Sequence, residues 1–249
     1  MRNLKLTIEY DGTKFHGWQI QKRGERTIQG EIEKALKKIL RKSIRVIGAG
    51  RTDSGVHALG QVANFKVNTK LTSNQILKAL NANLPKDVAI LKLEDMPLNF
   101  HAQYSSKTKT YRYTILNRAV RCTHMRHFCL HDPHPLNIAS MRWEAKSLIG
   151  RKDFRSFAGQ NPSKQKRNQN TIRTIKRIEI KKKGEFIHIE IEGDGFLYKM
   201  VRTIVGALLE VGQGKLSKGS IKEILSAKDR KLAPKTVKPH GLCLVAVKY

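Results

Sequence analysis

Two hydrophobic periods succeed each other in the same order twice along this chain, and that succession restricts the fold more than any single motif. Leu4, Leu6 and Ile8 alternate with Lys5, Thr7 and Glu9, the pattern of a half-buried strand. Asp11-Gly12 marks a turn. Thr27 then precedes Ile28, Ile32, Ala35, Leu36, Ile39 and Leu40, whose spacing fits one stripe of a helix, with lysines on the other face. Short strands are expected at Ile44–Ile47 and Gln61–Val67. Ser73 is expected to cap a helix running to about Ala82, which Asn83-Leu84-Pro85 ends, and Val88–Leu93 alternates as a further strand. The order so far is β-α-β-β-α-β.

The same order recurs downstream. Thr110–Leu116 reads as a strand with Tyr111 and Tyr113 on one face, and Asn137–Ile149 as a helix closed by Gly150. Ile172–Ile180 and Phe186–Ile191 alternate strictly about Lys183-Gly184 and read as a hairpin. Leu197–Val211 reads as a helix ending at Gly212, Ser217 as the cap of a short helix to about Ala227, and Leu242–Val247 as a closing strand. The expected class is α+β: two tandem ferredoxin-like halves, residues 1–105 and 106–249, with a central antiparallel sheet. The duplication is one of pattern, with no residue-level repeat.

Charge narrows the partner. The chain of 249 residues carries 49 Lys+Arg against 20 Asp+Glu, a net charge of +29, and 39% of its residues are hydrophobic. Such a charge repels itself in a compact state, so a polyanionic partner is implied, nucleic acid ahead of an anionic membrane surface. The apolar residues recur along the whole length, which excludes a disordered basic tail. The longest apolar stretches, such as Ile204–Leu209, fall far short of the roughly 18 residues of a membrane span. Three cysteines (Cys122, Cys129, Cys243) cannot build a disulfide framework, and a strand pattern by Leu4 leaves no room for a signal peptide, so a cytoplasmic setting is expected.

Two segments invite a ligand without fixing one. Residues 158–171 read as a long loop with Lys164, Lys166 and Arg167; to Lys183 the segment holds nine basic residues and one acid, Glu179. It reads either as a solvated loop or as an arm that grips phosphates. Cys122, His124, His127, Cys129, His131 and His134 crowd together, and such soft ligands can bind zinc. Their spacing matches no standard finger, so the segment is expected to be a basic, partly exposed hairpin with no metal.

The densest special segment is Gly48-Ala49-Gly50-Arg51-Thr52-Asp53-Ser54-Gly55-Val56-His57, three glycines with an arginine and an acid after a strand. Glycines permit tight turning and close approach of a ligand to the backbone. Neither a dinucleotide fingerprint nor a P-loop fits, because Asp53 stands where the third glycine would be and no Lys-Ser/Thr follows. On physical grounds alone, Asp53 reads equally as a turn cap beside a surface arginine and as a reactive carboxylate.

Here the chain resembles a known family, the tRNA pseudouridine synthase A family. Gly50 to His57 resembles its catalytic motif. Tyr10-Asp11-Gly12, Phe15-His16-Gly17-Trp18-Gln19, Asn81-Ala82-Asn83-Leu84-Pro85, Phe100-His101-Ala102 and Tyr111-Arg112-Tyr113 match in order. So do Asp153-Phe154-Arg155-Ser156-Phe157, Met200-Val201-Arg202-Thr203-Ile204-Val205-Gly206 and Gly241-Leu242-Cys243-Leu244-Val245. The resemblance covers nearly the whole chain.

It implies an isomerase that converts uridine to pseudouridine in the anticodon stem-loop of tRNA, at the 3′ side of the stem, from an active-site cleft between the halves. It also implies a homodimer. No cofactor is implied, since the reaction breaks the N-glycosidic bond, turns the uracil and rejoins it through carbon with nothing oxidised or lost. One ionised carboxylate must act as nucleophile or base, and the resemblance gives that role to Asp53. Attack on ribose C1′, attack on C6 and removal of a ribose proton all stay open.

A uridine inside a stem must be flipped out. The resemblance assigns Arg51 to brace the gap, its guanidinium able to stack and to bind phosphate at once. Tyr111 is the residue that stacks on the uracil and Leu244 the one that packs beside it; by pattern alone, both read as core. Arg202, a charge in an otherwise apolar helix, needs a partner, and the resemblance pairs it with Asp53, where an opposite charge favours the ionised carboxylate. Ser54 stands where alanine is common and Cys243 where an aromatic is frequent; neither removes a reacting group. Asp194-Gly195-Phe196 receives no role.

Two other classes of basic protein fit these residues less well. An RRM-like binding module would need an aromatic-rich Gly-Phe-Gly-Phe run that the strands lack. A basic ribosomal protein would explain the charge but neither the Arg51-Asp53 loop nor Arg202.

Overall fold

β1 (Arg2–Tyr10) forms where the alternation begins, and it pairs antiparallel on both sides. On one side lies β3 (His57–Val67), with Leu4 opposite Phe65 and Leu6 opposite Ala63; on the other lies β4 (Val88–Met96), with Leu6 opposite Leu93. These coordinates are a computed structural model and describe residues 1–159 and 170–249. The chain forms two compact units, one of Met1–Lys107 with Cys243–Tyr249 and one of Thr108–Leu242.

In the first unit α1 (Ile28–Leu40) and α2 (Ser73–Asn83) supply the apolar stripes. Ile28, Ile32 and Leu36 of α1 and Ile76 and Leu80 of α2 are fully buried, as are Leu4, Leu6 and Ile8 of β1. Each such side chain contributes roughly 1.5–3 kcal/mol, so this layer holds the unit together. Thr27, which precedes the expected helix, caps α1, its hydroxyl accepting from Gly30 N–H at 3.2 Å. The cap of α2 is Thr72, not Ser73: its hydroxyl accepts from Gln75 N–H, and Gln75 Oε1 accepts from Thr72 N–H at 2.8 Å, a reciprocal pair that Ser73 could not make with Gln75. The strand expected at Ile44–Ile47 shrinks to β2 (Ile47–Gly48), paired with Asn64 and Ala63 of β3. β10 (Leu242–Lys248) runs parallel to the start of β3, Cys243 opposite His57 and Leu244 opposite Ala58.

In the second unit β5 (Thr108–Leu116), β9 (Phe186–Gly193), β8 (Ile172–Lys183) and β7 (Gly150–Asp153) pair antiparallel in that order. β8 and β9 are the expected hairpin, with Gly184 at φ +59° in its turn. Tyr113 stands opposite Ile189, which stands opposite Ile180, on the apolar face. α3 (Ile138–Ala145), α4 (Met200–Gly212) and α5 (Ser220–Ala227) complete the unit.

Four expectations change here. The helix expected over Asn137–Ile149 stops at Ala145 and tightens into a 3-10 turn, Lys146–Leu148. α4 begins at Met200 rather than Leu197. Ser217 does not cap α5: Gly219 stands at the cap position, and the buried Glu144 carboxylate accepts from Gly219 N–H and Ile221 N–H instead. The expected hairpin at 122–134 is not one, because β6 (Leu130–His131) runs parallel to Ile115–Leu116. In this segment Cys129 Sγ donates to Met125 O at 3.2 Å, His131 Nε2 bonds Arg118 O at 2.8 Å and His134 Nδ1 lies 2.8 Å from Asp132 Oδ1. No helix among the described residues is long and apolar enough to cross a membrane.

Candidate active site

The loop from Ala49 to Val56 joins β2 to β3, and its backbone is pinned from two sides. From β3, Gln61, fully buried, donates from Nε2 to Gly50 O at 2.9 Å, and Val62 O accepts from Ala49 N–H at 2.7 Å. From the segment after β1, Trp18 N–H donates to Thr52 O at 3.1 Å. Phe15 O accepts from Gly55 N–H at 3.3 Å and from Ser54 Oγ at 3.1 Å. The buried Thr52 and Tyr10 hydroxyls share a bond of 2.8 Å. Burial pushes the Tyr10 phenol well above its ordinary range, with the Thr52 and Gln61 bonds opposing, so it stays neutral. Val56 N–H closes a turn on Asp53 O at 3.2 Å.

Glycine is needed where the two segments touch. Gly17 has φ +85°, and a Cβ there would stand 2.6 Å from Thr52 O and 3.2 Å from Asp53 C. A side chain on Gly12 would run into the carbonyl of Val56, and Gly12 N–H donates to His57 Nδ1 at 3.0 Å. The Trp18 ring fills the place a Cβ of Gly48 would take, 2.5 Å from Cε2. The Arg26 guanidinium covers the Phe15 ring at 4.1 Å and grips Asp87 through two bonds of 2.8 Å. Tyr10 to Trp18 is thus the brace of the Asp53 loop. The matching motif was visible in the sequence, but its task was not, because φ and close approach are properties of the folded backbone.

On this loop the Asp53 side chain is half-buried and Arg51 is exposed. Leu244, fully buried, lies beside Ala58 at the start of β3, so the first unit gathers Asp53, Arg51 and Leu244 around one strand end.

The second unit holds the other two candidates. Tyr111 is buried, and its ring makes a T-shaped contact with that of Phe196, centroids 5.3 Å apart and planes at 89°. Phe196, left without a role in the sequence, therefore fixes the tilt of that ring. Lys109 precedes Tyr111 by two residues on the same face; burial pushes its ammonium pKa down and the Asp194 carboxylate opposes. Arg202 is 9% exposed in α4 and donates from Nε to Val237 O at 2.9 Å. Its charge counters the upward push that burial gives the Tyr113 phenol, whose hydroxyl donates to Lys238 O at 2.7 Å. Lys164, Lys166 and Arg167 lie outside the described residues. A basic groove of about 670 Å3 opens between α1 and the end of α2, lined by Glu31, Lys34, Lys37, Lys38, Arg41 and Asn83 among others.

Comparison with known proteins identifies the family of the chain. Residues 6–105 and 145–249 match the family model described as tRNA pseudouridine synthase. The tRNA pseudouridine synthase A of Thermoanaerobacter sp. (strain X514) is 47% identical over the whole of both chains. A tRNA pseudouridine synthase A 2 of Clostridium perfringens is 45% identical and the tRNA pseudouridine synthase A of Acetivibrio thermocellus 43% identical, again over the full length of both chains. With a family model spanning most of its residues and relatives this similar end to end, the chain belongs to the tRNA pseudouridine synthase family.

Proposed function

We infer that this chain isomerises uridine to pseudouridine in tRNA, at the 3′ side of the anticodon stem, with the Asp53 carboxylate acting on a flipped-out nucleotide. The observation that carries the reading is the half-buried Asp53 on a loop pinned by Gln61, Trp18, Phe15 and Tyr10 and sharing that loop with exposed Arg51. A reacting group held by locked neighbours needs little reorganisation in the transition state.

The chemistry balances without a co-reactant. The bond from ribose C1′ to uracil N1 breaks, the uracil turns, a bond from C1′ to C5 forms, and the C5 proton leaves as N1 gains one. Asp53 serves as nucleophile or base in this sequence. Arg51 fills the gap left in the stem, Tyr111 stacks on the uracil with Phe196 holding its tilt, and Leu244 packs beside it. Arg202 supplies the positive charge opposite Asp53. Lys164, Lys166 and Arg167 and the groove lined by Lys34, Lys37, Lys38 and Arg41 grip phosphates. A homodimer working in the cytoplasm completes the reading, and light scattering of the purified chain tests the dimer.

The release of the C5 proton is the assay. Transcribed tRNA carrying tritium at uracil C5 should lose label with the wild-type chain and keep it with Asp53→Ala, which should still bind the RNA. Tight binding with no release by the wild type would make the chain a binding module and overturn the reading.

A further inference from the structure

Tyr104 is 79% exposed, the most exposed large aromatic among the described residues, yet it is held in place. The His101 ring stacks on it, with centroids 4.3 Å apart and planes 25° from parallel. His101 Nδ1 accepts from Gln103 N–H at 3.2 Å and from Tyr104 N–H at 3.3 Å, so the imidazole orientation is fixed by the backbone it stacks over. Ser105 closes the turn, donating N–H to His101 O at 2.9 Å and accepting from His101 N–H at 3.1 Å. A rotamer-free surface tyrosine would normally wander; here two rings are prearranged with one face open to water.

The base of the turn is anchored in the sheet. Asn64 Oδ1 accepts from Ala102 N–H at 2.9 Å, Asn3 Nδ2 donates to Phe100 O at 2.9 Å, and the Tyr249 hydroxyl donates to Ala102 O at 2.8 Å. Asn64 Nδ2 in turn donates to Asn3 Oδ1 at 2.9 Å, both side chains buried. Phe100 and Ala102 are buried in one apolar cluster with Val62 and Ala49. Ala49 stands two residues before Arg51 and four before Asp53, so the turn is rooted against the base of the candidate catalytic loop.

We propose that the stacked His101–Tyr104 pair is a platform for an unpaired base of the RNA substrate, next to the uridine that reacts; this rests on the function inferred above. Every nucleobase presents a π-face, and a rigid exposed aromatic takes it at small entropic cost. The backing imidazole raises the stack to three rings, and Lys107, exposed three residues on, lies in reach of the adjoining phosphates.

The test compares wild type, Tyr104→Ala and Tyr104→Phe on a fluorescent anticodon stem-loop RNA and on tritium-labelled tRNA. Tyr104→Ala should raise the Kd for the stem-loop and the KM by between about 5-fold and about 100-fold, with kcat and the unfolding midpoint little changed, and Tyr104→Phe should behave as wild type. In a scan that replaces each loop nucleotide with an abasic one, a single position should weaken wild-type binding while costing Tyr104→Ala nothing more. Unchanged Kd and KM in Tyr104→Ala would overturn the platform, as would equal losses in the Phe variant or losses that add at every abasic position. Failure of the wild type to release tritium would count against the inferred reaction instead, since binding is read separately.

Discussion

Gly17→Ala separates the brace of the Asp53 loop from its chemistry. At φ +85° an alanine costs about 1–2 kcal/mol of backbone strain. Its Cβ would stand 2.6 Å from Thr52 O, where ordinary contact begins at 3.4 Å, so the carbonyl must recede by about 0.8 Å. That carbonyl accepts from Trp18 N–H at 3.1 Å, and stretching the bond costs a further ~1 kcal/mol. The stability loss should be about 2–3 kcal/mol, or a fall in Tm of roughly 4–12 °C. The displaced carbonyl adjoins Asp53, and a shift approaching 1 Å at a reacting group lowers kcat on the order of 100-fold. Gly24→Ala is the control: φ is +75° with nothing within 4 Å of a Cβ, so it should lose about 1–2 kcal/mol of stability and no activity. Thermal unfolding and tritium release measure the two effects. Equal loss of stability in both variants with full kcat in each would show that Gly17 does not position the loop.

Three further outcomes are expected. Arg202→Ala should lose tritium release and ~1–3 kcal/mol of stability by denaturant titration, since Val237 O loses its 2.9 Å donor in a buried setting; normal turnover would remove Arg202 from the site. The Arg2 guanidinium and the Ser73 hydroxyl hold the Asp95 carboxyl down at about 2, so its stabilising effect is complete above pH ~4, its unfolded value, and is lost as pH falls through about 2; the Tm difference between wild type and Asp95→Asn should follow that course and should not grow on acidification. Roughly five phosphate contacts give a slope near −4 for log binding constant against log salt, and a near-flat slope would show that the basic surface does not hold RNA.

The order of elements was legible because it rests on two periods that survive without tertiary knowledge. Ile28 to Leu40 could bury one stripe only as a helix, and Ile172 to Ile191 could alternate only as paired strands. What the sequence concealed depended on distant partners. Ser217 looks like a cap because serine caps locally, but the carboxylate that satisfies the start of α5 comes from Glu144, 75 residues away. Ser73 lost the cap of α2 to Thr72, because the reciprocal bond requires the glutamine three residues on. The parallel pairing of Leu130–His131 carries no local signature, since parallel and antiparallel partners ask the same alternation of a short strand. In the site, Asp53 and Arg51 stood out by residue type among glycines. Gln61 and Phe196 did not, because an amide under a loop and a ring packed crosswise on another ring are recognised by contact rather than by spacing.

A net charge of +29 does not mean that every cation awaits RNA. Several acids are spent on the sheets: Glu190 takes Arg112 at 2.7 Å and Arg177 at 3.6 Å, and Glu179 takes Arg177 at 2.9 Å and Lys181 at 2.7 Å. Exposed pairs of this kind add little stability each, but they lower the positive field over the polar sheet face on which Arg112, Arg177 and Lys181 stand. The groove beside α1 is arranged the other way, with Lys34, Lys37, Lys38 and Arg41 against the single acid Glu31. Local excess, rather than the total, therefore decides where a phosphate backbone settles. Neutralising two lysines of that groove should shorten the salt slope by about 2, while removing Arg177 and Lys181 together should leave it nearly unchanged; equal effects would mean that the ion-paired face holds the RNA as strongly as the groove does.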